Sequence, residues 1–242
     1  MTKIYTDAIE PASGTTLTIG ESGQNTVLPG NDLRANVVQD LGGNAIFTSN
    51  GSGVLSGLNS AFGSPIVLIQ SQTADDVASL TFSTGITSTY KAILFKCLNM
   101  RGTDTYTHLG FHTSTDGGSS YAVLATSGYW HSYVTSAGNS YDPSMDNTTQ
   151  QYNATGVCYL GESMGDAANE SIYAEACIWN PAGTTYTKGW TSSLTATNTA
   201  GTSFKRGYVG GWFDTTSAIN TVKWQYSTGN IIAGTIKLYG IK

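Results

Sequence analysis

The residues in this sequence best suited to chemistry are aromatic side chains beside amides and hydroxyls. Residues 129–133 read Tyr-Trp-His-Ser-Tyr, which gathers three aromatic rings and an imidazole. Aromatic rings offer apolar faces on which sugars stack, while hydroxyls and amides pair with sugar hydroxyls. A core or a subunit interface would use the same residues, and the sequence leaves that alternative open. The predicted ligand-binding residues are Tyr129, Trp130, His131, Tyr133, Tyr141, Trp179 and Trp190.

Ionisable residues are too few and too scattered to predict a catalytic centre. His108 and His112 would lie about 13 Å apart on one strand, which is too far to share a metal. No nucleophile-elbow, HExxH, phosphate-loop or dinucleotide pattern occurs. Glycoside hydrolysis needs two positioned carboxylates, and the spacing of Glu162, Glu170 and Glu175 does not favour it. We therefore expect a protein that is not an enzyme, with no catalytic residue and no cofactor.

Neither the cysteines nor the acidic residues predict a metal site. Cys97, Cys158 and Cys177 are an odd number at wide spacings, without a CxxC pattern, and so are interpreted as free thiols. Residues 142–146 could offer oxygen ligands to calcium, but a turn that begins with Asp-Pro explains them as well. We expect no bound metal.

The amino-acid composition excludes some classes of binding partner. Only 11% of residues are charged, whereas 61 of the 242 are serine or threonine, so the polar surface is built from hydroxyls. A net charge of -5 provides no basic field for nucleic acid. No run approaches the ~20 apolar residues that span a bilayer. The first ten residues lack the apolar run of a signal peptide, so we expect no export by that route.

The sequence predicts an all-β fold. Threonine, serine, tyrosine, valine and isoleucine dominate, and turn residues recur every 8–12 positions, as in sandwiches and barrels. An Asp-Gly at residues 116–117 lies between the runs 106–112 and 121–125 and predicts a hairpin. The longest window suited to a helix, residues 161–170, contains two glycines. Other strands are expected at residues 66–70, 80–82, 91–100, 129–134, 171–179, 208–213, 222–226 and 231–239.

Two regions are expected. Residues 1–63 hold short strands that bury little surface alone, which predicts a stalk that gains its core from other chains, as a homotrimer. Loops packed on the main domain are the alternative. Residues 64–242 carry longer strands and predict a jelly-roll-like β-sandwich that faces outward. The predicted trimerisation residues are Leu17, Ile19, Val27, Leu28, Val37 and Ile46.

Four segments carry a resemblance to a known group. They are Thr-Thr-Leu-Thr-Ile-Gly at 15–20, Thr-Val-Leu-Pro-Gly at 26–30, the segment 114–121, and the C-terminal segment 227–241. With them, the sequence resembles fibre-like virion appendage proteins of marine tailed bacteriophages, in which short β modules precede a compact β-sandwich tip. The resemblance rests on turn and strand patterns, and it carries over no functional residue.

The resemblance implies a homotrimeric virion protein that contacts other tail or capsid proteins. We expect a fibre or tip protein on the particle surface, made in the host cytoplasm, that recognises a host-surface glycan. The sequence starts close to its first β module, which would also suit a head fibre or a capsid decoration protein. A carbohydrate-binding module of a cellular protein is the alternative from another class.

Overall fold

A computed structural model describes residues 37–39, 45–49, 52, 55–58, 65–135, 137–146, 150–161, 166–197 and 203–242. The chain divides into two compact units, Met1–Gly63 and Ser64–Lys242. The roles predicted for the two units stay predictions. Over the described ranges no helix forms, so none there is long and apolar enough to cross a membrane.

The described part of the first unit is an antiparallel three-stranded sheet. Its strands are β1 (Val37–Gln39), β2 (Ala45–Ser49) and β3 (Leu55–Leu58), in that order. Val37 is exposed and Ile46 half-buried. Leu17, Ile19, Val27 and Leu28 lie outside the described residues, and the trimerisation role of all six residues stays a prediction.

The second unit contains two antiparallel sheets. The larger one has, in spatial order, β4 (Ile66–Thr73), β15 (Ile231–Ile241), β6 (Ala92–Gly102), β11 (Ile172–Trp179), β12 (Lys188–Thr197), β13 (Ser203–Phe213), β8 (Ala125–Thr135) and β9 (Ser140–Asp146). The smaller one has β10 (Cys158–Tyr159), β7 (Leu109–Ser114), β14 (Thr221–Tyr226) and β5 (Leu80–Phe82). The larger sheet alone has as many strands as a whole jelly roll.

Aromatic rings from both sheets meet in a single core. Phe111 of the smaller sheet lies 5.1 Å, between ring centroids, from Trp190 of the larger one. Trp224 lies 5.4 Å from Phe95 in the same way. All four side chains are 0–1% exposed. This core confirms the predicted all-β sandwich.

Strand alternation decides which side chains enter the core. On β11, Ile172, Ala174 and Ala176 are buried, while Tyr173 and Glu175 point to solvent. Because strand side chains alternate with a period of two, each strand of the larger sheet has an inner face toward the core and an outer face away from it.

The predicted hairpin at residues 116–117 is wrong. Residues 121–124 form no strand, and β7 pairs with β10 and β14 instead. The Ser114 hydroxyl donates to the Asp116 carboxylate at 2.7 Å and accepts the Gly118 amide hydrogen at 3.0 Å. This turn feeds the chain from the smaller sheet toward β8 in the larger one.

Strands β3, β9, β10 and β12 were missing from the sequence-based prediction, and β13 is longer than the predicted segment. The polar stretch at residues 138–156 has the composition of a loop, yet Ser140–Asp146 forms β9 and pairs with β8. Of the predicted helical window, residues 162–165 are not described.

Candidate ligand-binding site

The outer face of the larger sheet collects half-exposed aromatic side chains. Six rings lie on it, each 44–52% exposed: Trp130, Tyr173, Trp179, Phe204, Tyr208 and Trp212. Exposed apolar residues of this number on one face form a patch of the kind that marks an interaction site.

Two of the indoles stand on either side of a glycine. Gly189 of β12 is the cross-strand partner of Trp212 on β13. Trp179 on β11 lies beside the same glycine, since its Cδ1 atom is 3.9 Å from the point that a Cβ of Gly189 would occupy. Strands lie ~4.8 Å apart, so the backbones that carry the two indoles are about 10 Å apart. Because glycine has no side chain, no side chain of β12 lies between the two indoles at this position.

A row of small residues crosses the sheet next to this pair. Cys177, Thr191, Gly210 and Gly128 are successive cross-strand partners on β11, β12, β13 and β8. We call these four residues the channel. One side of the channel has the row with Trp179 and Trp212. The other side has Glu175, Ser193, Tyr208 and Trp130, which are also successive partners. The channel thus lies between two rows that carry aromatic rings.

The fold does not require the glycines of the channel. A Cβ at Gly210 would meet no atom within 4 Å, and one at Gly128 only the Met145 methyl at 4.0 Å. Neither has positive φ. Glycine inside a strand costs about 0.5–1 kcal/mol relative to alanine. Glycine in such a place often marks the close approach of a ligand or another backbone.

Inner-face glycines of the same strand have a different role. A Cβ at Gly211 would lie 2.3 Å from the Thr126 carbonyl oxygen and 2.9 Å from Trp190 Nε1. A Cβ at Gly207 would lie 2.7 Å from the Tyr129 ring. The packing of the fold therefore requires glycine at these two positions, whereas it does not require the glycines of the channel.

Few charged side chains lie near the aromatic rings of the outer face. The Lys96 ammonium lies 2.8 Å from the Glu175 carboxylate, and both side chains are about half exposed. The hydrogen bond and the charge of Glu175 raise the pKa of Lys96. The Arg206 guanidinium lies 5.2 Å from the Tyr208 ring centroid. A shallow cleft beside the ion pair is lined in part by Leu94, Glu175, Cys177, Thr191, Ser193 and Tyr208.

The seven predicted ligand-binding residues do not lie together in the structure. Trp130 and Trp179 are half exposed on the outer face. Tyr129 and Trp190 are 1% exposed in the core, so the prediction that they bind a surface ligand is wrong. Both side chains point inward from β8 and β12 and belong to the buried hydrophobic core.

The other three predicted residues lie on or beside β8. His131 stacks between Tyr129 and Tyr133, with ring centroids 5.2 and 6.4 Å apart, on the face opposite Trp130. The period of two along β8 divides residues 129–133 between the two faces of the sheet. Tyr141 is the β9 partner of Tyr133.

Sequence reasoning missed Tyr208, Gly210 and Trp212. Their spacing of two within the predicted strand 208–213 was the signal, because it places a ring, a gap and a ring on one face.

Of the histidines and cysteines of this unit, Cys158 is buried, and His108, His112 and Cys177 are half-buried. His108 Nδ1 is 3.0 Å from the Gly161 carbonyl oxygen. Burial, with a smaller effect of the Lys223 charge, lowers the pKa of His112 to about 4. Burial raises the pKa of Cys158 to about 12 and that of Cys177 to about 11. Among the residues described, no three metal-ligating side chains cluster.

Comparisons of the chain with protein-family models, with curated proteins and with solved structures find no match. Its function is therefore argued from the outer face.

Proposed function

We propose that this protein is a non-enzymatic binding protein whose sandwich recognises a neutral glycan through its outer face. The observation that carries the proposal is the set of six half-exposed rings on that one face. Rings kept half exposed offer their faces to a ligand, whereas the core rings at 0–1% exposure cannot. Hydroxyls of Thr191 and Ser193 lie between these rings and could pair with sugar hydroxyls.

The charge pattern favours a glycan over a nucleic acid. Single-stranded nucleic acids also stack on aromatic rings, but their binding sites add a positively charged groove. Here Lys96 is paired with Glu175, and the channel has no charged residue. The net charge of -5 also opposes the approach of a polyanion.

We further propose that the glycan belongs to a host cell surface and that the protein is a homotrimeric fibre or tip of a tailed-phage virion. This part depends on the resemblance of residues 15–20, 26–30, 114–121 and 227–241. A capsid position, as a head fibre or decoration protein, is the alternative. A particle reconstruction distinguishes the two locations, and the molar mass in solution tests the trimer.

Affinity electrophoresis in gels that contain neutral polysaccharides tests the glycan proposal. We expect at least one gel to retard the protein, and Trp212→Ala or Trp130→Ala to remove most of the retardation. Tyr106→Ala is the matched control, because Tyr106 is 65% exposed but lies in the loop between β6 and β7, away from the outer face. No retardation in any neutral gel, or equal losses in all three variants, would contradict the proposal.

A further inference from the structure

We infer that the outer face takes an unbranched neutral glycan, which lies across the strands in the channel between two aromatic rows. The inference rests on the proposed function and adds the shape and direction of the ligand. Its observations are the paired rings, the register that puts small residues between them, and the open space above two glycines.

The register sets the dimensions of the channel. Trp212 and Tyr208 are four residues apart on β13, with Gly210 between them, so their Cα atoms are about 13 Å apart at ~3.3 Å per residue. From Cys177 to Gly128 the channel crosses four strands, which is about 14 Å at ~4.8 Å per strand. The channel is therefore longer than one sugar ring and suits several consecutive units of an extended chain.

The rings on both sides limit branching. Trp179 and Trp212 stand along one long side, and Tyr208 and Trp130 along the other. A chain in the channel can stack its units against these rings, but a side branch at the unit over Gly210 would meet the Trp212 indole or the Tyr208 phenol. A substituent that points along β13 toward either aromatic row is therefore excluded.

The glycines bring the ligand close to the backbone. Gly210 and Gly128 are neighbours on β13 and β8, and side chains there would extend into the space that the chain is proposed to fill. Aromatic rings lie on both sides of this space, and the packing of the fold does not require a glycine at Gly210 or Gly128. A ligand that packs flat on the sheet gives both features one explanation.

The charges around the channel favour a neutral ligand. Glu175 is adjacent to the Cys177 end and paired with Lys96. Arg206 stacks on Tyr208, and Lys237 lies beyond Lys96 on β15. The polar contact inside the channel comes from the neutral Thr191 hydroxyl, which can pair with a sugar hydroxyl.

Titration calorimetry of the full chain tests this with four unbranched neutral hexasaccharides: cello-, laminari-, manno- and chitohexaose. We expect at least one to bind, and Gly210→Val and Gly128→Val each to weaken that binding at least tenfold. Valine suits an extended strand, so both variants should fold. Ser132→Val is the matched control, because Ser132 points outward on β8 beyond Trp130 and outside the channel. We expect it to bind like the wild type.

The outcomes separate this inference from the proposed function. If Trp212→Ala abolishes binding but both glycine variants bind normally, the channel is wrong and glycan recognition stands. If a galactosyl-branched manno-oligosaccharide binds as well as its unbranched counterpart, the limit on branching is wrong. If no hexasaccharide binds although a neutral polysaccharide gel retards the protein, this inference is wrong and glycan recognition stands, whereas both fail if the gels also show no retardation.

Discussion

Adjacent glycines on β13 should respond in opposite ways to the same substitution. A Cβ at Gly210 meets nothing within 4 Å, while one at Gly211 would lie 2.3 Å from a backbone oxygen of β8. Gly→Ala at a compatible position stabilises by about 0.4–1 kcal/mol, because the unfolded chain loses freedom. Forcing a methyl group into a packed site costs about 1–3 kcal/mol.

These energies predict measurable shifts in melting temperature. About 1 kcal/mol corresponds to ~2–4 °C for a domain of 150–250 residues. Gly210→Ala should therefore raise Tm by about 1–4 °C, and Gly211→Ala should lower it by roughly 2–12 °C. Calorimetry or chemical denaturation of the purified variants provides both values under one condition.

The result for Gly210 is the decisive one. If Gly210→Ala lowers the free energy of unfolding by 1 kcal/mol or more, the glycine is structural, and its place in the channel no longer points to a ligand. If Gly211→Ala has no effect, the close packing between β13 and β8 is wrong.

Three further predictions concern the sandwich. Trp224→Ala should destabilise the fold by about 3–5 kcal/mol in urea unfolding, because its indole is fully buried against Phe95. Since the pKa of His112 falls from 6.5 to about 4 on folding, the unfolded chain is protonated first as pH drops. Stability should therefore fall between pH 6.5 and 4, by about 1–2 kcal/mol allowing for solvent screening, and His112→Gln should remove that part of the pH dependence. A maleimide should label Cys177 and spare the buried Cys158 in the folded protein, and labelled Cys177 should no longer bind glycan; mass spectrometry and calorimetry check both.

The class of fold was predictable because it depends on local patterns. The alternation of β11 and the division of residues 129–133 between two faces follow from a period of two. Which strand pairs with which was not predictable, because a turn does not specify its sheet. The Asp116 turn illustrates this, since Ser114 closes it locally while the next strand joins the other sheet.

Strand β12 escaped prediction because polar residues occupy two of its inward positions. The Lys188 ammonium donates to the carbonyls of Tyr186 and Thr215 at 3.0 and 3.1 Å. The Ser192 hydroxyl donates to the Glu175 carbonyl at 2.7 Å. These carbonyl oxygens satisfy the buried ammonium and hydroxyl groups. The carbonyls of Thr215 and Glu175 are distant in sequence, so they reach their partners only in the folded chain.

The candidate site was only partly predictable for the same reason. Aromatic residues could be found from the sequence, but which of them face solvent depends on strand register. The Trp190 side chain is buried in the core. The Trp212 side chain, two residues after Gly210 on β13, is half exposed. The channel exists only after four strands align, so no local segment reveals it.

Tryptophan fluorescence with acrylamide as quencher tests the central claim most directly. Trp130, Trp179 and Trp212 are about half exposed on the outer face, whereas Trp190 and Trp224 are buried. Saturation with a bound neutral hexasaccharide should protect much of the quenchable emission, because the exposed indoles are those of the outer face. Unchanged quenching of a protein that demonstrably holds the glycan would place the binding site elsewhere and contradict the assignment of the outer face.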